Sequence, residues 1–118
     1  MLRKLFNRRK HPRFFADQKT FVVFQPGTQG EKILQILDIS EGGCGFIYQG
    51  NEGDLEKPGL IAIMSGRETY FDQIIISTVS DLNASGPFRR RGVEFKWLGT
   101  LDKKRLNNFI KKVSICKR

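Results

Sequence analysis

Arg9 and Arg13 bracket three residues in Arg9-Lys10-His11-Pro12-Arg13, and twenty-five residues beyond Arg13 the string Asp38-Ile39-Ser40-Glu41-Gly42-Gly43 sets a carboxylate two positions ahead of a hydroxyl, with two glycines after them. A guanidinium is a planar fork of five donors, able to grip a phosphate bidentately, pair with the O6/N7 edge of guanine or stack on a purine. A carboxylate only accepts, so Asp38 suits the ring N–H and amino group of a guanine, and Ser40 can donate or accept toward base or phosphate. On an extended chain Asp38 and Ser40 point to one side, and the glycines offer positive φ or close approach of backbone to a ligand. Each stretch also has a plainer reading. The arginines can form a solvated basic tail, and Asp38 or Ser40 can cap its own backbone in an Asx or Ser turn.

Other residues offer less. His11 is the single histidine and the cysteines are two, Cys44 and Cys116, so neither a catalytic triad nor a metal-ligand pattern can be assembled. No nucleophile and base stand at usable spacing, and an enzyme is not expected. Glu52 and Asp54 fall in a Gly-rich segment that reads as a solvated loop. Arg89-Arg90-Arg91 offers either a second anionic contact, with Arg91 as a secondary ligand residue, or a charged edge that discourages aggregation. Trp97 reads as core, or as a stacking surface at a barrel rim.

The elements that must hold these residues are mostly strands. Thr20–Phe24, Lys32–Ile39, Cys44–Tyr48, Leu60–Met64, Tyr70–Val79 and Arg90–Leu98 are β-rich runs separated by Gly, Pro, Asn and Asp. Val93, Phe95 and Trp97 alternate with Glu94 and Lys96 as on a half-buried strand. Six such strands predict a small antiparallel β-barrel, an arrangement that removes free sheet edges. From about residue 100 to 115 the period changes: Leu98, Leu101, Leu106, Phe109, Ile110 and Val113 recur at helical spacing between lysines. Thr100 is the expected N-cap, Asp102 lies in the first turn, and Lys111 and Lys112 suit the negative pole of the helix. The apolar stripe is expected to close one end of the barrel, a dimer seam being the other use for it.

At 118 residues the chain is long enough for one core and too short for two. Residues 1–13 hold six bases and no acid, residues 14–88 four bases and ten acids, and residues 89–118 eleven bases and two acids. The charge predicts a basic arm over residues 1–13 and an anionic partner, leaving 14–118 for the barrel and its closing helix. The amino end lacks the apolar run of an export signal and no segment is long and apolar enough to span a bilayer, so a cytoplasmic protein is expected. Leu2, Leu5 and Phe6 could form one helical turn that docks on the domain or touches a membrane surface.

The two opening motifs match the paired RxxxR and DxSxxG of the PilZ domain, and Gly92-Val93-Glu94-Phe95 is similar to that family's last strand, so the resemblance runs along nearly the whole chain. It implies a six-stranded antiparallel barrel with a C-terminal helix, and a receptor for cyclic di-GMP in which the arm closes over the ligand and the altered surface signals to a downstream protein. Carried over, Arg9 and Arg13 would hold phosphate and guanine, while Asp38, Ser40, Gly42 and Gly43 would hold the second guanine and adjoining backbone. An arginine at the position of Arg8 is associated in the family with two stacked ligand molecules per site rather than one. The competing expectations are a small barrel for single-stranded nucleic acid, which the acidic middle of the chain disfavours, and a protein-interaction adaptor with vestigial motifs. Monomer and homodimer both remain compatible with the sequence.

Overall fold

The structure is a computed structural model and describes residues 11–50 and 59–118. Among the described residues eight strands and one helix follow in order: β1 (Phe14–Ala16), β2 (Thr20–Phe24), β3 (Lys32–Ile39), β4 (Gly43–Gln49), β5 (Gly59–Ser65), β6 (Glu68–Asn83), β7 (Phe88–Lys96), α1 (Thr100–Val113) and β8 (Ser114–Lys117). All pairings are antiparallel, in the order β2-β5-β6-β7-β4-β3, and β2 pairs again with β3 to close a six-stranded barrel. The strands are built of β-branched and aromatic residues that alternate across the barrel wall. Turns close where the chemistry allows: Gly66 at φ 60° joins β5 to β6, and Gly86 at φ 58° lies in the turn from β6 to β7.

The interior is one apolar cluster that includes Val22, Phe24, Ile36, Ile39, Phe46, Ile61, Ile63, Ile76, Val93 and Phe95. Helix α1 lays Leu106, Phe109, Ile110 and Val113 onto it, with the Phe109 ring 4.8 Å from Tyr70 and edge-on to Phe71 at 6.2 Å. The stripe expected to close the barrel therefore does pack on its core.

Several boundaries differ from the expectations. Two strands lie outside the six: β3 pairs along its first half with β2 and at Asp38 and Ile39 with β1, and β8 pairs with β1. The helix ends at Val113 and not near 115, because the chain turns extended at Ser114 (φ −72°, ψ 138°) and joins the sheet. Gly99 is the N-cap and Thr100 the first helical residue, with no side-chain cap bond. Leu101 faces solvent instead of extending the stripe. Trp97 is not a core residue of the last strand: it follows the end of β7 at φ 59° and is 84% exposed. Among the described residues no helix is long and apolar enough to cross a membrane.

Two bulges break the alternation and decide where two aspartates point. On β3 the register slips between Ile36 and Asp38, so Ile36 and Ile39 both enter the core and Asp38 falls on the outer face. On β6 the slip between Thr78 and Ser80 does the opposite, carrying Asp81 inward opposite Arg91.

Candidate functional site

The end of the basic arm and the DxSxxG turn lie side by side. Strand β1 runs antiparallel to the end of β3, with Phe14 opposite Ile39 and Phe15 opposite Asp38. One residue earlier, Arg13 is half-buried, and its carbonyl accepts from the Arg118 amide at 2.8 Å. Two residues before that, the His11 ring lies over Gly42, where a Cβ would come within 2.9 Å of its Cδ2, and Nδ1 stands 3.4 Å from Glu41 Oε2. Arg8 and Arg9 lie outside the described residues, as do Glu52, Asp54 and the Leu2-Leu5-Phe6 turn.

The turn itself is built by Ser40 and the glycines. The Ser40 amide donates to the Gly43 carbonyl at 2.8 Å, and its hydroxyl accepts from the Gly42 amide at 3.1 Å. Ser40 thus makes the Ser turn that was the plainer reading of the motif. Gly42 and Gly43 serve close packing and not positive φ: a Cβ on Gly43 would strike the Val93 carbonyl across β4 and β7. The Gly42 carbonyl accepts from the Phe95 amide at 2.9 Å, which ties the turn to β7.

Asp38 makes no Asx turn. Its carboxylate is 3% exposed and its Oδ2 accepts from Arg90 Nη2 at 2.7 Å and from Arg118 Nη1. Arg90 reaches it across Gly45, which is opposite both Asp38 and Gly92 in the sheet register. Beneath lies Cys44, whose thiol is pushed well above its usual range by burial and, next, by the Asp38 charge, against the opposing pull of Arg90.

The pleat of β7 splits the arginine triplet. Arg90 faces outward to Asp38, whereas Arg89 and Arg91 face inward to Asp81. Arg91 is fully buried; its Nε and Nη2 donate to Asp81 Oδ2 at 3.1 and 3.0 Å, and its guanidinium lies 5.5 Å from the Tyr48 ring centroid. Arg89 Nε donates to Asp81 Oδ1 at 2.7 Å and the Tyr48 hydroxyl to Oδ2 at 2.5 Å. Burial raises the Asp81 carboxyl, but these hydrogen bonds from Tyr48, Arg89 and Arg91 outweigh it and hold the group below its ordinary range. Arg91, expected as a secondary ligand residue, is thus buried in an interior ion pair with Asp81, and Arg90 is the arginine of the triplet that faces the outer wall. Trp97 is 84% exposed and takes part in no ring–ring or cation–π pair among the described residues.

The parity of β7 could have revealed this. Val93 and Phe95 are apolar and inward, so Arg91 shares their face and Arg90 does not. Nothing in the sequence signals Arg118, which reaches Asp38 only because β8 folds back along β1.

No family model matches the chain, nor does any curated protein. Solved structures do. The MrkH–cyclic di-GMP complex of K. pneumonia superposes with a TM-score of 0.71 at 20% identity, over 90% of this chain and 52% of that one. The PilZ domain of YcgR from Escherichia coli with cyclic di-GMP gives 0.65 at 14% identity, over 91% of this chain and 92% of that domain. The Bacillus subtilis inhibitor of motility, MotI/DgrA, gives 0.60 at 18%, over 90% and 51%. The chain therefore has the PilZ fold, and it spans about half the length of MrkH and MotI/DgrA.

Proposed function

We propose that this chain is a cyclic di-GMP receptor whose arm closes over the ligand on the outer wall formed by β1, β3, β4 and β7. The observation that carries the reading is the adjacency of Arg13 and His11 to the Asp38–Gly43 turn. It puts the second arginine of RxxxR and the whole of DxSxxG on one wall. Solved PilZ-fold neighbours that contain cyclic di-GMP support the same ligand. In this reading Arg9 and Arg13 hold phosphate and guanine, Asp38 accepts from a guanine edge, and the Ser40–Gly43 turn approaches the ligand through backbone. Arg8 adds a further guanidinium, consistent with two stacked ligand molecules. The reorganised surface is then read by a downstream protein.

The energetics are demanding. Fixing some eight arm residues around a ligand costs on the order of 10 kcal/mol. Charge-assisted hydrogen bonds return ~1.5–3 kcal/mol each, so three arginines making two apiece offset the cost with affinity to spare. Losing one arginine removes most of that margin. Calorimetric titration should give micromolar or tighter binding with one or two molecules per chain, and Arg9→Ala or Arg13→Ala should weaken it at least ~100-fold. Near-normal affinity in either variant would overturn the arm model, and no heat with wild type would overturn the receptor reading.

A further inference from the structure

Asp38 is not the only group on its wall with a shape matched to a base. Gly45 and Gly92 face each other across β4 and β7, and together they leave a slot through which Arg90 reaches Asp38. A Cβ on Gly45 would collide with Arg90 Nη2 and stand 2.9 Å from Asp38 Oδ1; one on Gly92 would lie 3.5 Å from Arg90 Nη1 and 2.7 Å from Ser80 Oγ. The Arg90 side chain is 20% exposed, with Nη2 on the carboxylate.

Guanine presents two donors, N1–H and the 2-amino group, beside two acceptors, O6 and N7. A carboxylate with a guanidinium at 2.7 Å is the complementary pattern, acceptor beside donor. Adenine reverses it, bringing a 6-amino donor against the guanidinium and no N1–H to the carboxylate. Resting on the receptor reading above, we infer that Arg90 determines guanine specificity: it donates to O6 of the base whose N1–H and amino group donate to Asp38. Arg118 Nη1 now holds Asp38 Oδ2, on the arm side. The entering base takes that place and Arg118 withdraws, while Arg90 stays in its glycine-walled slot.

Calorimetry of wild type, Arg90→Met, Arg90→Lys and Arg118→Ala with cyclic di-GMP and its di-inosine analogue tests this. Inosine keeps O6 and lacks the 2-amino group, so a residue that reads O6 affects both ligands alike. Arg90→Met should weaken both in parallel by about tenfold or more, in line with one base-edge contact; Arg118 still pairs with Asp38 in that variant. Arg90→Lys keeps the charge beside Asp38, safeguarding the fold, but loses the fork, and should show the same parallel fall to a lesser degree. Arg118→Ala should bind both ligands as tightly as wild type or more so.

Wild type that fails to bind cyclic di-GMP overturns the receptor reading, and this inference with it. With wild type binding, unchanged affinity in both Arg90 variants overturns the inference alone. So does a narrowed preference for guanine over inosine, because that would mean Arg90 merely positions Asp38. A tenfold loss in Arg118→Ala would overturn the exchange at Asp38.

Discussion

Asp81 and Asp38 are both buried aspartates held by arginines, yet their surroundings set them different tasks. Asp81 is enclosed by Tyr48, Arg89 and Arg91, and its pKa is lowered despite burial. The stability it contributes is therefore complete above its ordinary value of 3.8 and is lost as the pH falls below that value through the lower folded one. Tyr48 works at the other limit: burial, then its bond to Asp81, raises its pKa, so its share is complete below 10 and is lost as the pH rises beyond. Denaturant titrations across pH should show a broad plateau with losses at both ends, and Asp81→Asn should flatten the acid loss. Asp81→Ala leaves Arg91 charged and buried, and should cost about 3 kcal/mol or more in the same measurement. The cysteines differ just as clearly: Cys44 is buried with a raised pKa, and Cys116 is exposed. A thiol reagent at pH 8 should therefore modify Cys116 in the native protein and reach Cys44 only on unfolding.

Among the elements, what could be read from sequence is what local pattern controls. The six barrel strands and the helix stand out because their apolar periods differ, and each is found within a few residues of its expected place. Strands β1 and β8 have no such signal. Phe14-Phe15-Ala16 is too short to show alternation, and Ser114-Ile115-Cys116-Lys117 follows a helical pattern without a break; each is a strand because the other pairs with it. The bulge at Leu37 is equally silent in sequence, although it decides that Asp38 faces outward. The glycines of β4 separate packing from function. Gly43→Ala would push a methyl into the backbone of β7 and should destabilise the barrel by at least ~1–3 kcal/mol. Gly45→Ala meets only side-chain atoms, the end of Arg90 and Asp38 Oδ1, so it should lower the melting temperature less than Gly43→Ala and, under the proposed function, lose affinity for cyclic di-GMP. Thermal unfolding beside calorimetry separates the two.

For the whole molecule, the burial of Leu106 at the junction of helix and barrel makes the two one cooperative unit. Leu106→Ala should cost about 2–5 kcal/mol and lower a single unfolding transition rather than split it. Arg13 and Arg118, one from each of the two basic charge runs legible in sequence, meet in space, since the Arg118 amide donates to the Arg13 carbonyl and its guanidinium pairs with Asp38. If the proposed receptor function holds, affinity for the anionic cyclic di-GMP should fall as salt rises and the Debye length shrinks from ~10 Å at 0.1 M to ~3 Å at 1 M.

That meeting of Arg118 with Arg13 bears on how the protein is handled. A substitution or label placed near either residue therefore acts on the wall that carries Asp38. The same proximity can be turned to use: a small fluorophore attached at Cys116, two residues from Arg118, would sit close enough to register a rearrangement there as a change in emission.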